Sequence, residues 1–425
     1  MRNYLALALI QVLVLAGCGG GGGGSGGSGT PPPPPPTQVI AAAGPPNVEP
    51  IYVDEGPTAL TNAGIDAVNV AFVTIQVCIP NTATCQTIDH VQVDTGSAGL
   101  RLISASNSAG GELSLALPAV MINGSPGAEC MSFADGTSWG SLATADVVFP
   151  TSTESLQSVV VQVIGDSSVA NRPSATECST SPETEDTVPT FGANGILGVG
   201  PFANDCEDGC TAQSGQYYNC PTPATCTPVT VPQEVLNPVT LLATDNTGVI
   251  VELPSVGTAG LLTVSGSLVF GIGTQTNNAI ANGVTVLTAD AFGNVTGNYL
   301  STSFPDSYFD SGSNGIFFID GANPIAQCPN PNPPPATNGF YCPTSTISFT
   351  GSMTGTNTAS VSAPFSVADA NTLFDTNDAA FSNLGGTNAD PASVALGLAF
   401  FYGHNVYTAI EGATVGDNTG PFFAF

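Results

Sequence analysis

The chain has 425 residues, 42% of them hydrophobic, with 32 Asp and Glu against 3 Lys and Arg, for a formal net charge of −29. A surface of this sign repels nucleic acid and anionic lipid headgroups and argues against either as a charge-held partner. No Lys occurs at all, so once the acids bind protons almost no positive charge remains to drive the molecule apart.

The first segment reads as an export signal. Met1-Arg2 gives a basic start, Tyr4 to Leu15 is an apolar run short for a membrane span, and Leu15-Ala16-Gly17-Cys18 ends on small residues before a Cys. Residues 1–17 are therefore expected to be a lipoprotein signal peptide, with Cys18 the lipidated N-terminus. An ordinary signal with an incidental Cys is the plainer alternative. Gly19, rather than Asp, follows the Cys, which by resemblance to bacterial sorting rules points to the outer membrane, at its periplasmic face or the cell surface. Losing Arg2 with the signal leaves 2 bases against 32 acids, and 2 − 32 gives −30.

Residues 18–49 are expected to form a tether. Gly19 to Gly29 is almost pure Gly and Ser, a flexible coil, and Pro31 to Pro36 is a stiff polyproline spacer. Neither can build a core. The lipid anchor is then the only expected contact with a membrane.

From residue 50 onward, apolar and polar residues alternate, with Val, Thr, Ile and Phe punctuated by Gly, Asn and Pro. Val68, Val70 and Phe72, then Val73, Ile75 and Val77, then Val91 and Val93, follow a period of two. The class is mainly β. Asp369 to Phe374 and Phe401 to Thr408 are the best short helix candidates.

Of 11 Cys, assigning Cys18 to lipid leaves ten, an even number that in an exported chain predicts disulfides. They cluster as Cys78/Cys85, Cys206/Cys210, Cys220/Cys226 and Cys328/Cys342, with Cys130 and Cys178 left over. Cys78–Cys85 is the best supported, because it staples two strands around residues 79–84. Pairing within Cys206 to Cys226 stays open, and zinc held by that cluster is the sharper alternative. With two His in the chain and an oxidising compartment, no metal site and no organic cofactor are expected.

Two motifs carry the chemistry. Val93-Asp94-Thr95-Gly96-Ser97 and Phe309-Asp310-Ser311-Gly312-Ser313 each put an Asp at the end of an apolar run, followed by a hydroxyl, Gly and a second hydroxyl. One such motif alone is more often a turn, since Asp, Ser and Gly are turn residues. Each of these is followed about a hundred residues later by an apolar–apolar–Gly segment, Ile196-Leu197-Gly198-Val199-Gly200 and Leu396-Gly397, where Gly lets backbone pass close to a neighbour. The repetition implies two pseudo-equivalent β lobes, residues 50–250 and 251–425, with a cleft between them. Two carboxyls forced together there cannot both ionise cheaply and share one proton. The charged one can take a proton from water while the neutral one donates to a carbonyl oxygen. The Thr95 and Ser311 hydroxyls can brace the opposite loop, and Ser97 and Ser313 can bond the outer carboxylate oxygens.

On these residues the chain resembles the pepsin-like aspartic proteases over most of residues 65–425. Phe72 to Cys78 and Cys85 to Val93 resemble the hairpin before the family's first catalytic loop, and Gly266 to Gly271 the strand that opens its second lobe. Phe133-Ala134-Asp135-Gly136-Thr137-Ser138 resembles its flap. More narrowly, the chain is similar to a group of secreted or lipid-anchored bacterial proteins. The resemblance implies a bilobal pepsin-like acid protease fold, catalytic Asp94 and Asp310, and an endopeptidase activity. It also implies substrate contact at Phe133, Asp135, Gly136 and Thr137. A polypeptide substrate or protein ligand is the expected partner, and a monomer the expected state. Two positions depart from the family: Phe133 stands where it usually has Tyr, and Arg101 where it often has Trp. These departures favour a second reading, a catalytically silent binding or structural surface protein of the same fold.

Weaker features remain. Gly-x-Ser-x-Gly occurs only in the tether, where no nucleophile elbow can form. His90 and His404 read as hydrogen-bonded structural residues. Trp139, the single Trp, fits either a role over the cleft or buried packing. The sequon at Asn294 has no use in a bacterial lipoprotein.

Overall fold

Strand accounts for 42% and helix for 8% of the computed structural model, so pairing between strands positions every candidate residue. The structure describes residues 3–4, 38–105, 110–169, 172–173, 178, 184–206, 209–232, 234–321, 324–329 and 339–425. Cys18, residues 19–37 and nearly all of the signal segment lie outside the described residues.

Of the period-two stretches, Phe72 to Val77 and Val91 with Val93 form strands, whereas Val68 and Val70 lie in the irregular chain just before the first of these. In chain order the principal strands of the first half are β1 (Val48–Val53), β2 (Phe72–Cys78), β3 (Cys85–Asp94), β4 (Ala98–Ile103), β5 (Ser125–Ser132), β6 (Thr137–Val148), β7 (Ser155–Ile164) and β8 (Gly195–Val199). Following the pairing β2–β3–β8–β4–β7–β6 leads back to β2, a closed six-strand barrel. Closure leaves no free edge among those strands. Val73, Ile75, Val77, Val91, Val93, Leu100, Leu102 and Val161 are fully buried in its core. Every residue of β4 and β8 is buried. Their parallel pairings, β4 with β7 and β8 with β3, belong to strands covered on both faces.

The second half contains β9 (Gly248–Glu252), β10 (Val264–Phe270), β11 (Thr302–Phe309), β12 (Ile316–Phe317), α1 (Ala370–Phe374), β13 (Gly385–Gly386), β14 (Ala395–Leu396), α2 (Leu398–Phe401), β15 (Asn405–Ala409) and β16 (Phe422–Ala424). Around Asp310 the pairing repeats the pattern around Asp94. The strand bearing the Asp runs parallel to the Gly-crossing strand, β3 to β8 and β11 to β14. That crossing strand is antiparallel to the strand after the motif, β8 to β4 and β14 to β12. The last in turn has a parallel neighbour, β7 or β13. The halves share one sheet, because β1 pairs with β2 on one side and β10 on the other, and β9, β15 and β16 continue it.

Three expectations need correction. The tether does not reach residue 49: β1 begins at Val48, and residues 38–41 are docked, with the Gln38 side chain donating to Leu253 O at 2.7 Å and Ala41 N–H donating to Glu252 at 2.6 Å. The 250/251 boundary falls inside β9, whose residues are all buried between β10 and β15. Residues 401–408 are not a helix. α2 stops at Phe401, Gly403 takes a φ of +88°, and the alternating Val406 and Thr408 enter β15. The other helix candidate forms as α1, with the Asp369 side chain accepting from Thr372 N–H at 3.2 Å.

Five disulfides, Cys78–Cys85, Cys130–Cys178, Cys206–Cys210, Cys220–Cys226 and Cys328–Cys342, take up all ten Cys considered above. Cys78 and Cys85 face each other in the β2–β3 register. Among the described residues, no helix is long and apolar enough to cross a membrane.

Candidate active site

Asp94 is the last residue of β3, and Asp310 follows the last residue of β11. Pairing with the crossing strands fixes both ends: Gly198 lies beside Asp94, and Asp310 N–H donates to Leu396 O at 3.1 Å. The turns after them are built alike. Gly96 N–H donates to Asp94 Oδ1 at 2.7 Å, and Gly312 N–H to Asp310 Oδ1 at 2.8 Å. Ser97 Oγ donates to Asp94 Oδ2, and Ser313 Oγ to Asp310 Oδ2 at 2.6 Å. Behind each turn the crossing segment donates to it, Gly200 N–H to Ser97 O at 2.8 Å and Leu398 N–H to Ser313 O at 2.7 Å.

The two loops are bolted to each other. Thr95 N–H donates to Ser311 Oγ at 3.1 Å, Ser311 N–H donates to Thr95 Oγ1 at 2.9 Å, and Ser311 Oγ–H donates to Val93 O at 2.8 Å. Gln92 adds a bond to Gly312 O at 2.9 Å. The carboxyls meet over this base. A Cβ on Gly96 would stand 2.5 Å from Asp310 Oδ1, and one on Gly312 would collide with Asp94 Oδ1, so only Gly fits at either turn. Burial, the adjacent Asp310 charge and a hydrogen bond with Asp310 push the Asp94 carboxyl well up, against opposing bonds from Ser97 and Gly96. Asp94 and Asp310 are 5% and 7% exposed.

The hairpin residues divide. Phe133 and Asp135 are half-buried, and Phe133 N–H closes the turn on Gly136 O at 2.8 Å. Asp135 is raised by burial and further by the Asp310 charge, against the bond it makes with Glu185. Burial and the Asp135 carboxyl push Glu185 up to about 10. Gly136 packs against Glu185. Thr137, expected to meet substrate, is instead 2% exposed, because Arg172 donates to its hydroxyl and, at 2.9 Å, to its carbonyl oxygen.

Trp139 takes the packing role: it is buried, donates to Val169 O at 2.5 Å and meets Tyr218 edge-on. His90 is held between Asp54 at 3.3 Å and Asp89 at 2.7 Å, and His404 stacks on Phe400 at 4.5 Å. The donor atoms of Cys206, Cys210 and Glu234 lie within 4.8 Å of one another, but both sulfurs are tied up in a disulfide, which removes the thiolates that zinc needs.

Two participants escaped the sequence reading. Asn69, fully buried with a φ of +52°, donates to Asn314 O at 2.7 Å and Phe381 O at 2.8 Å, and accepts from Phe381 N–H at 2.7 Å and Tyr402 OH at 2.9 Å. It ties the chain before β2 to the residue after the second Asp loop. An Asn just ahead of a strand, where left-handed backbone is tolerated, was the only signal. The second is the pair of acids that receives Arg101, Glu129 and Asp205, at 2.8 and 2.9 Å.

Residues 43–425 match the model of a family described as Protein of unknown function (DUF3443), and the chain belongs to that family. A search of curated proteins returns no match.

Proposed function

We propose that the chain, as a member of the DUF3443 family, is an aspartic-type endopeptidase of pepsin-like, two-lobed design, working in an exported and lipid-anchored setting. The single observation that carries this reading is the reciprocal Thr95–Ser311 hydrogen bonding, which brings Asp94 and Asp310 together over one base. The repeated strand pairing around each Asp supports two related lobes. The five disulfides suit an oxidising compartment.

The chemistry follows from one proton on two carboxyls. The ionised carboxyl takes a proton from a water between the pair, whose oxygen bonds to the scissile carbonyl carbon. The neutral carboxyl gives its proton to the carbonyl oxygen, so a neutral gem-diol forms with no covalent enzyme adduct. On collapse the carboxyl that holds the proton gives it to the leaving nitrogen, and the other carboxylate takes a proton from one gem-diol hydroxyl. The C–N bond breaks to leave a carboxylic acid, an amine and a dyad with its single proton. Ser97, Ser313 and the Gly96 and Gly312 amides steady the carboxylates during these transfers.

The second reading, a silent binding protein, is favoured by Phe133, which offers the hairpin a ring without a hydroxyl, and by Arg101, a fully buried cation where the pepsin-like family often has Trp. Hydrolysis of a casein or mixed-peptide substrate between about pH 2 and 8 distinguishes them, since a dyad of this kind turns over wherever it holds one proton. No cleavage at any pH, with no binding of a peptide-like transition-state mimic, selects the silent protein.

A further inference from the structure

Arg101 is a fully buried cation in a chain with almost none. It sits on β4, four residues after Ser97. Its Nη1 donates to Ala98 O at 2.8 Å, and its Nη2 donates to Glu129 Oε1 at 2.8 Å and Asp205 Oδ2 at 2.9 Å. Burial pushes the Asp205 carboxyl well up, and the neighbouring Glu129 adds to this; Glu129, also buried, is held below its usual range by Arg101 and by the bond from Asp205. The two acids thus face one guanidinium with their carboxyls pushed in opposite directions. Gln216 Nε2 donates to both acids at 3.3 and 3.0 Å, and Tyr217 OH donates to Asp205 at 2.8 Å.

A buried ion cluster of this kind is weak as a source of stability, because desolvation cancels much of the attraction and an apolar replacement is often neutral or better. A role in position accounts for it more readily. The guanidinium carbon stands 5.9 Å from the centroid of the Phe133 ring, within range of a cation–π contact. Phe133 in turn meets Phe191 edge-on at 5.7 Å. One group thus holds the carbonyl of Ala98, the residue that follows the first Asp loop, with its edge and faces Phe133 of the 133–136 hairpin.

We propose that Arg101 is a positioning residue that couples the 133–136 hairpin to the Asp94 loop, with Glu129 and Asp205 fixing its orientation. The inference rests on the hydrolytic reading for its catalytic consequence only; the mechanical coupling stands without it. Substrate entering beneath the hairpin must lift Phe133 from the guanidinium, and the return of that contact brings the hairpin back over the dyad.

The test compares Phe133→Leu, which keeps apolar bulk and loses the ring face, with Phe133→Tyr, which keeps the face. A third variant, Arg101→Met with Glu129→Gln and Asp205→Asn, removes the whole charge cluster without stranding an acid. Amide exchange read by mass spectrometry over residues 96–100 and 133–137 reports the coupling, and kcat and KM on a peptide report its use. The expected result is exchange about three- to tenfold faster in both segments for Phe133→Leu and the cluster variant, with parental exchange in Phe133→Tyr. KM rises by a similar factor, more than kcat falls. Unchanged exchange at 133–137 in Phe133→Leu overturns the proposal, whether or not the cluster variant folds. A parent that cuts no peptide while Phe133→Leu still loosens both segments sinks the hydrolytic reading and leaves the coupling in place.

Discussion

Thr95 and Ser311 exchange hydrogen bonds in opposite directions, backbone amide to side-chain oxygen, at 3.1 and 2.9 Å, although 216 residues separate them. Each hydroxyl also stands at the base of a loop whose Asp faces the other. The relationship turns two local turns into one site, and it makes the carboxyl pair a property of the whole fold.

Ser311→Ala removes an acceptor for Thr95 N–H and a donor to Val93 O, both buried. Leaving those groups unpaired costs about 1–3 kcal/mol. Urea denaturation is expected to show that loss, with turnover falling further than Thr95→Ser, which keeps a hydroxyl.

Ser97→Ala deletes a bond that stabilises the Asp94 carboxylate. Its loss raises the cost of the ionised form, so the pH–rate profile should move toward higher pH relative to the parent. A shift toward lower pH contradicts the assignment of that bond.

Asn69→Ala breaks four buried bonds at a left-handed position. The expected loss is on the order of 3 kcal/mol, seen as a lower urea midpoint. Asn69→Asp should fare little better, because a carboxylate cannot donate to the Asn314 and Phe381 carbonyls.

Stability should also fall as pH rises toward neutrality. Burial raises Glu252 to about 7, against a bond from Ala41 N–H. The unfolded chain releases this proton above about pH 4.5, whereas the folded protein keeps it until about 7. The folded state is therefore favoured fully below about 4.5 and loses on the order of 3 kcal/mol between there and 7. Glu252→Gln should flatten that part of the curve, as measured by melting temperature against pH.

The mainly β class, the β2–β3 hairpin with its Cys78–Cys85 staple and the two Asp turns were legible because each is written locally, in a period of two or in a four-residue motif. What the sequence hid depends on distant partners. Arg101 reads as a charge on a strand, and nothing near it announces that Glu129 and Asp205 will enclose it. Phe401 to Thr408 carries an apolar pattern short enough to suit helix or strand, and pairing with β9 settles it as strand after Gly403. The resemblance puts Thr137 against substrate, but it is buried and takes two hydrogen bonds from Arg172, 35 residues on, a partner that no local pattern announces.

The most direct measurement is peptide hydrolysis across about pH 2–8 by the parent, Asp94→Asn and Asp310→Asn, each checked for folding by circular dichroism. The shared-proton account predicts that each substitution lowers kcat by at least about a hundredfold while the fold persists. Parental rates in either variant would contradict it.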